Sequence, residues 1–258
     1  MSPDRHRGDA APVDDATRSA GRACPHDAET GRQPATAGLP DMLRAATWPL
    51  HTEVEKTGVM RRILAGRFDR WLYLALLRNL AAIYDALEPL LARHATHPWL
   101  AAIHDPSLAR AHALRDDLRV LGADVQAMVL PSTQAYVDRL RVLGVEAPKL
   151  LVAHAYVRYL GDLSGGQVLR RIVRRTLELS GSDGTRFYEF GDDASVAARA
   201  RAFRQGLASI PADHAAALEL IGEAQRAFAL HAALFRELDP DPAGKRPMDT
   251  TVPPRPPG

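Results

Sequence analysis

Apolar side chains recur every third or fourth position through Phe68, Trp71, Leu72, Ala75, Leu76, Ile83 and Leu87, the period of a helix with one buried face. The same period fills most of the interior of the chain, and almost nothing alternates with period two. The pattern predicts helices at 40–57, 68–94, 107–121, 132–144, 148–179, 193–208 and 211–237. Abundant Leu, Ala and Arg supports that reading. Local punctuation separates the helices: Thr96-His97-Pro98, Asp105-Pro106, Pro131-Ser132, Ala147-Pro148 and the run from Ser180 to Gly184. Pro148 and Pro211 are expected in first helical turns, where a missing N–H costs nothing. No segment repeats with a solenoid period. The fold class expected is all-α, one compact multi-helical domain.

The two ends read differently. Residues 1–38 are rich in Asp, Arg, Ala, Gly, Pro and Thr without periodicity and are expected to form a disordered tail, since they have little apolar surface to offset ordering entropy. Residues 239–258 are dominated by proline from Pro240 onward and are expected to be extended or disordered. The folded domain is therefore predicted over 39–238.

Charge changes this picture little. Lys and Arg number 33 against 31 Asp and Glu, so the net charge of +2 gives no bulk argument for nucleic acid. Cys24 is the one cysteine, which excludes an intramolecular disulfide or a thiolate cluster and points to a cytoplasmic location. No apolar stretch resembles a secretory signal or a membrane anchor.

Tyr156–Gln167, YVRYLGDLSGGQ, breaks the helix rules inside a strongly helical run. Gly161, Gly165 and Gly166 fall within six residues, a local penalty of roughly 3 kcal/mol relative to alanine. Two readings fit. One is a bend or close helix contact; the other is the approach of a flat ligand to backbone stripped of Cβ atoms. Arg158 and Asp162, four apart, share one helix face, either as a surface ion pair or as a supported carboxylate beside the glycines. His51, with Glu55 one turn later, is a weak metal-ligand signal by itself. A haem iron, however, needs only one protein nitrogen if its other face is to stay open.

In these segments the chain resembles the haem oxygenase family. The resemblance rests on HTEVEKTGVM at 51–60 and above all on KLLVAHAYVRYLGDLSGGQVLRRI at 149–172. It extends through LYLALLRNLAAIYDALEPLL, YVDRLRVLG at 136–144 and AQRAFALHAALFREL at 224–238, and so covers roughly 40–238. It implies haem b, both cofactor and substrate, held between a proximal helix and a kinked, glycine-rich distal helix. His51 would be the axial ligand and Glu55 its hydrogen-bonding neighbour. Gly161, Gly165 and Gly166 would line the distal face. Asp162 would hold a distal water network beside bound oxygen, supported by Arg158, Tyr84 and Tyr136; as bland core residues the two tyrosines would each have one satisfied hydroxyl. Arg44, Tyr156 and Arg204 would anchor the propionates.

Two departures bear on that assignment. Ala200, flanked by Arg199 and Arg201, stands where the family often has a lysine; His231 stands where animal relatives commonly have asparagine, either joining the distal network or simply packing. His154 reads as a surface or packing histidine, and Met60, Phe228 and Phe235 as pocket wall or core.

The implied reaction opens the haem ring with O2 and external electrons to give biliverdin, carbon monoxide and iron. The electrons must come from a ferredoxin, flavodoxin or reductase, because no dinucleotide motif or iron–sulfur cysteine set is present. Arg170, Arg171, Arg174 and Arg175 suit an acidic redox protein or simply a solvated face. Alternatives are a haem carrier using the same pocket, or a related helical enzyme acting on thiamin or carrying a diiron centre. The carrier has no need of Asp162, and the others need a core cysteine or Glu-x-x-His pairs that the sequence lacks. Cys24-Pro25 resembles cysteine-proline motifs of haem-regulated proteins.

Overall fold

A computed structural model describes residues 38–123 and 129–239. The expectations for the tail before Gly38, for the segment after Asp239 and for Cys24 fall outside these residues. Ten α-helices are present among them: α1 (Leu39–Glu55), α2 (Gly58–Leu64), α3 (Arg70–Arg93), α4 (Pro98–Ala101), α5 (Ala111–Val120), α6 (Pro131–Glu146), α7 (Leu151–Ala155), α8 (Gly161–Thr176), α9 (Asp193–Ser209) and α10 (His214–Leu238). The all-α expectation is met, and the long periodic segments lie close to their predicted bounds.

The differences have local causes. The helix predicted to end at 57 stops at Glu55, and the chain restarts as α2 because the Thr57 side chain accepts from Met60 N–H and caps a new helix. Pro211 is not in a first turn: α10 begins three residues later, behind Asp213, whose carboxylate accepts from Ala216 N–H at 2.8 Å. The predicted helix 148–179 is four pieces: a 3-10 turn at Pro148–Leu150, α7, a π-helical turn at Tyr156–Leu160, and α8. The irregularity thus precedes the glycines, which sit in regular helix. A π turn fits one extra residue into the helix and re-aims the side chains around it.

The core forms where α10 packs on α1, α6 and α7, and where α3 packs on α5 and α6. Leu43, Leu77, Leu87, Leu140, Leu151, Leu220 and Leu234 are fully buried there. Asp117 at the end of α5 accepts from the N–H groups of Arg186 and Phe187 at 2.9 and 2.8 Å. Arg110 donates to the carbonyls of Ser107, Ala109 and Glu189 and lies 4.0 Å from the Phe190 ring centroid. Together they fix the turn that sets Phe187 and Tyr188 beneath α8. No helix among the described residues is long and apolar enough to cross a membrane.

Candidate functional site

Between α1 and the π turn with α8 lies an open-mouthed cavity of about 600 Å³, lined elsewhere by residues of α2, α3, α9 and α10. Its lining is mostly apolar, with polar groups only at chosen points, the form expected of a small-molecule site.

His51 stands on the α1 side. Its Nδ1 is buried without a hydrogen-bond partner, 3.8 Å from Glu55 Oε2. The side chain as a whole is 42% exposed, so Nε2 is left as the ring nitrogen available to the cavity. Trp48 stacks parallel to the imidazole with centroids 5.7 Å apart, and Phe228 meets its edge at 6.3 Å. The hydrogen bond expected from Glu55 is not made, since 3.8 Å is beyond hydrogen-bond reach; the carboxylate is a near neighbour of the ring.

On the other side, a Cβ added to Gly161 or Gly165 would meet nothing within 4 Å, and both glycines line the cavity. Their bare backbone leaves a space that any side chain would fill. Gly166 differs: a Cβ there would touch Tyr188 at 3.5 Å, so its role is helix contact as much as lining. Gly161 and Gly165 thus leave the open space that the flat-ligand reading requires, and Gly166 makes the close contact of the other reading.

Arg158 sits in the π turn and Asp162 one turn on, at 7% and 9% side-chain exposure, so this is no surface ion pair. Arg158 Nη2 donates to Asp162 Oδ1 at 2.9 Å, and its Nε donates to Tyr84 Oη at 3.3 Å. Tyr84 in turn donates to Asp162 Oδ2. Burial pushes the Asp162 carboxyl above its usual value, against the opposing pull of Arg158. Burial likewise raises the Tyr84 hydroxyl, which is therefore a proton donor at neutral pH. His231 completes the cluster, with both ring nitrogens 3.2 Å from Arg158 Nη1.

Tyr136 is not part of this cluster by direct contact. Its hydroxyl lies 3.2 Å from His154 Nδ1, and His154 Nε2 lies 3.0 Å from Glu223 Oε1. Arg139 clamps the same carboxylate at 3.0 and 2.5 Å. His154 is fully buried, so it is a packing histidine and not a surface one. Hydrogen bonds from His154 and Arg139 outweigh burial and hold the Glu223 carboxyl at about 2. Tyr136 does not line the cavity: it lies on α6, which packs on α3 and α10, close enough to Arg158 and Asp162 to feel their charge but hydrogen-bonded to His154 instead.

Arg44 and Arg204 are exposed at the rim, as an anchor for carboxylates requires. Tyr156 lines the cavity, but its proton is engaged. Thr47 Oγ1 donates to Leu43 O at 2.7 Å, so Tyr156 Oη, 3.1 Å away, is the donor to Thr47. Arg199 turns from the rim to Phe190 O and Ser107 Oγ. Within the basic run, Arg170 pairs with Glu189 and Arg171 donates to Gln167 O.

Met60, Phe228 and Phe235 line the cavity. Sequence reading missed the contributions of Trp48, Leu64, Phe187 and Tyr188. Trp48 had a signal in its position three residues before His51; Phe187 and Tyr188 had none, because their 3-10 turn is placed by the distant Asp117.

A planar macrocycle with one axial nitrogen and two carboxylates fits this donor set: a single available imidazole, a side-chain-free wall and rim arginines. The comparisons agree. The heme oxygenase family model matches residues 37–237. Heme oxygenase 1 from Synechocystis is 39% identical over 207 residues, 79% of this chain and 86% of the relative. The crystal structure of heme oxygenase-1 from that cyanobacterium in complex with heme superposes with a TM-score of 0.74 at 38% identity, covering 79% of this chain and 93% of the other. The structure of Synechocystis heme oxygenase-2 with heme and NO gives 0.76 at 36% identity, covering 78% and 85%. The match spans the whole described core, groove included, and the chain belongs to the haem oxygenase family.

Proposed function

We propose that this chain binds haem in the groove between α1 and α8 and opens its ring to give biliverdin, carbon monoxide and iron. The observation that carries the proposal is the pairing of one available imidazole, His51, with a buried carboxylate, Asp162, across a wall without side chains at Gly161 and Gly165. When bound, haem supplies the iron that reduces oxygen and is itself the molecule oxidised.

The residues of the chain position and protect that chemistry. His51 would hold the iron through Nε2, with the Glu55 carboxylate 3.8 Å from Nδ1 on the far side of the ring. Gly161 and Gly165 let the ring lie against backbone. Asp162, fixed by Arg158 and Tyr84, would order water at its carboxylate beside the reacting face. Arg44 and Arg204 take the propionates, and Tyr156 joins them by exchanging its bond to Thr47. Leu76, Leu80, Phe187 and Phe235 exclude bulk water. Tyr136 makes no hydrogen bond to this cluster and acts on it only through the field it shares with Arg158 and Asp162.

Oxygen is the oxidant and an external ferredoxin, flavodoxin or reductase supplies electrons, consistent with a cytoplasmic location. Arg174 and Arg175, beyond the engaged Arg170 and Arg171, give that donor a basic surface on α8. The folded domain spans 39–238.

Aerobic haem titration of the full chain, followed by ascorbate, tests the reading through the absorption spectrum and the extracted pigment. Loss of the haem band with appearance of biliverdin is expected. Tight binding without biliverdin would make the protein a carrier, and absence of haem binding would overturn the proposal.

A further inference from the structure

Trp48 and His51 stand three residues apart on α1, on the face that lines the groove. Their rings are parallel to within 4° with centroids 5.7 Å apart, an offset stack that covers a face of the imidazole and not the edge that carries its nitrogens. Phe228 on α10 approaches from another side, its ring at 72° to the imidazole with centroids 6.3 Å apart. The orientation of a ligating imidazole is ordinarily set by a hydrogen bond at its second nitrogen. Here that bond is not made: Glu55 Oε2 lies 3.8 Å from Nδ1, which has no hydrogen-bond partner among the described residues. Aromatic rings occupy the positions from which the ring can be steadied instead. Core packing does not explain Trp48, which is 58% exposed and, among the described residues, the one aromatic side chain of the exposed large hydrophobics. Bonding through Nε2 would fix the direction of that nitrogen but leave the imidazole free to turn about the bond. Such a turn would break the parallel stack.

We propose that Trp48 is a positioning residue for the axial ligand: its indole, stacked on His51, fixes the rotation of the imidazole plane and takes the part that a hydrogen bond to Nδ1 plays elsewhere. This rests on the haem reading and adds to it a residue that acts through His51 alone. Phe228 limits the same rotation from α10, at the edge of the ring.

The test uses the full chain loaded with ferric haem and cyanide, a low-spin complex in which the spread of the haem-methyl proton resonances follows the angle of the axial imidazole plane. Trp48→Leu is expected to change that spread, whereas Trp48→Phe, which keeps a flat face against the imidazole, is expected to retain the original pattern. An unchanged pattern in the leucine variant overturns the proposal, as does a phenylalanine variant that behaves as the leucine variant does. A second comparison needs no haem. In the unmodified haem-free chain the His51 ring protons should lie upfield of those of an unstacked histidine, because the indole ring current shields them, and Trp48→Leu should move them downfield. Equal positions in the two proteins overturn the proposal whatever the haem complexes show. Failure of the unmodified chain to bind haem would sink the functional reading while leaving the haem-free comparison standing.

Discussion

The two walls of the groove are built on opposite plans. On the α1 side, His51 is nearly half exposed, with one carboxylate at 3.8 Å and a stacked, exposed tryptophan. On the α8 side, Arg158, Asp162, Tyr84 and His231 form a buried cluster of charge-assisted bonds drawn from α3, α8, α10 and the π turn. A metal ligand needs one nitrogen and a free approach, and the iron itself orients it. A carboxylate that orders water must be held before the guest arrives, because a loosely placed charge reorganises instead of guiding the reaction. On the proposed function, exposure marks the ligand and burial marks the chemistry.

That contrast can be broken most severely on the simple wall. His51→Ala should remove the axial ligand and reduce ring opening to background, while the fold, whose helices do not depend on His51, stays intact by circular dichroism. Added imidazole should restore part of the histidine-ligated haem spectrum; a variant with full activity and no such dependence would show that another residue holds the iron. On the buried wall, Asp162→Asn should leave haem bound yet slow biliverdin formation by about 10²-fold, the lower range for loss of a positioned proton-handling group. Unchanged turnover would separate burial from function.

Glycine substitutions sharpen the comparison within α8. Gly165→Leu should fill the open space and weaken haem binding by about tenfold or more, whereas Gly166→Ala should leave it unaltered. The Gly166 alanine would meet Tyr188 at ordinary contact distance and should stabilise the helix by up to about 1 kcal/mol, read as a small rise in melting temperature. Equal effects at both positions would mean that the glycines serve helix packing alone.

The smallest effect lies behind the cluster. Because the folded protein holds Glu223 near 2, below its ordinary 4.5, the unfolded chain binds more protons between those values. Stability from this carboxylate is complete above about pH 4.5 and is lost as pH falls toward 2. Glu223→Gln should flatten that part of the acid-unfolding curve without altering haem affinity at neutral pH; an unchanged acid limb would remove Glu223 from the account.

Much of this was legible before any coordinates. Helical periodicity located the long helices, because each had to bury one stripe. The cost of three glycines marked α8, and the spacing of Arg158 and Asp162 put them on one face. The break at Thr57 was missed because a capping threonine inside a periodic run looks like another helical position. The π turn was missed because an inserted residue leaves no compositional trace. Tyr136 was assigned to the distal cluster by resemblance, but the packing of α6 turns its hydroxyl to His154. Tyr156 seemed free to bind a carboxylate until Thr47 proved to hold its proton.

The sequence alone determined the helical class, the glycine wall and the candidate histidine, since these follow from local period, from missing Cβ atoms and from residue chemistry. The tertiary structure decided which polar groups meet. Arg158, Tyr84 and His231 are more than seventy residues apart along the chain, so their hydrogen bonds exist only once α3, α10 and the π turn are packed together. Pattern specifies what each helix must bury; contact between helices specifies which charge is held, and toward what.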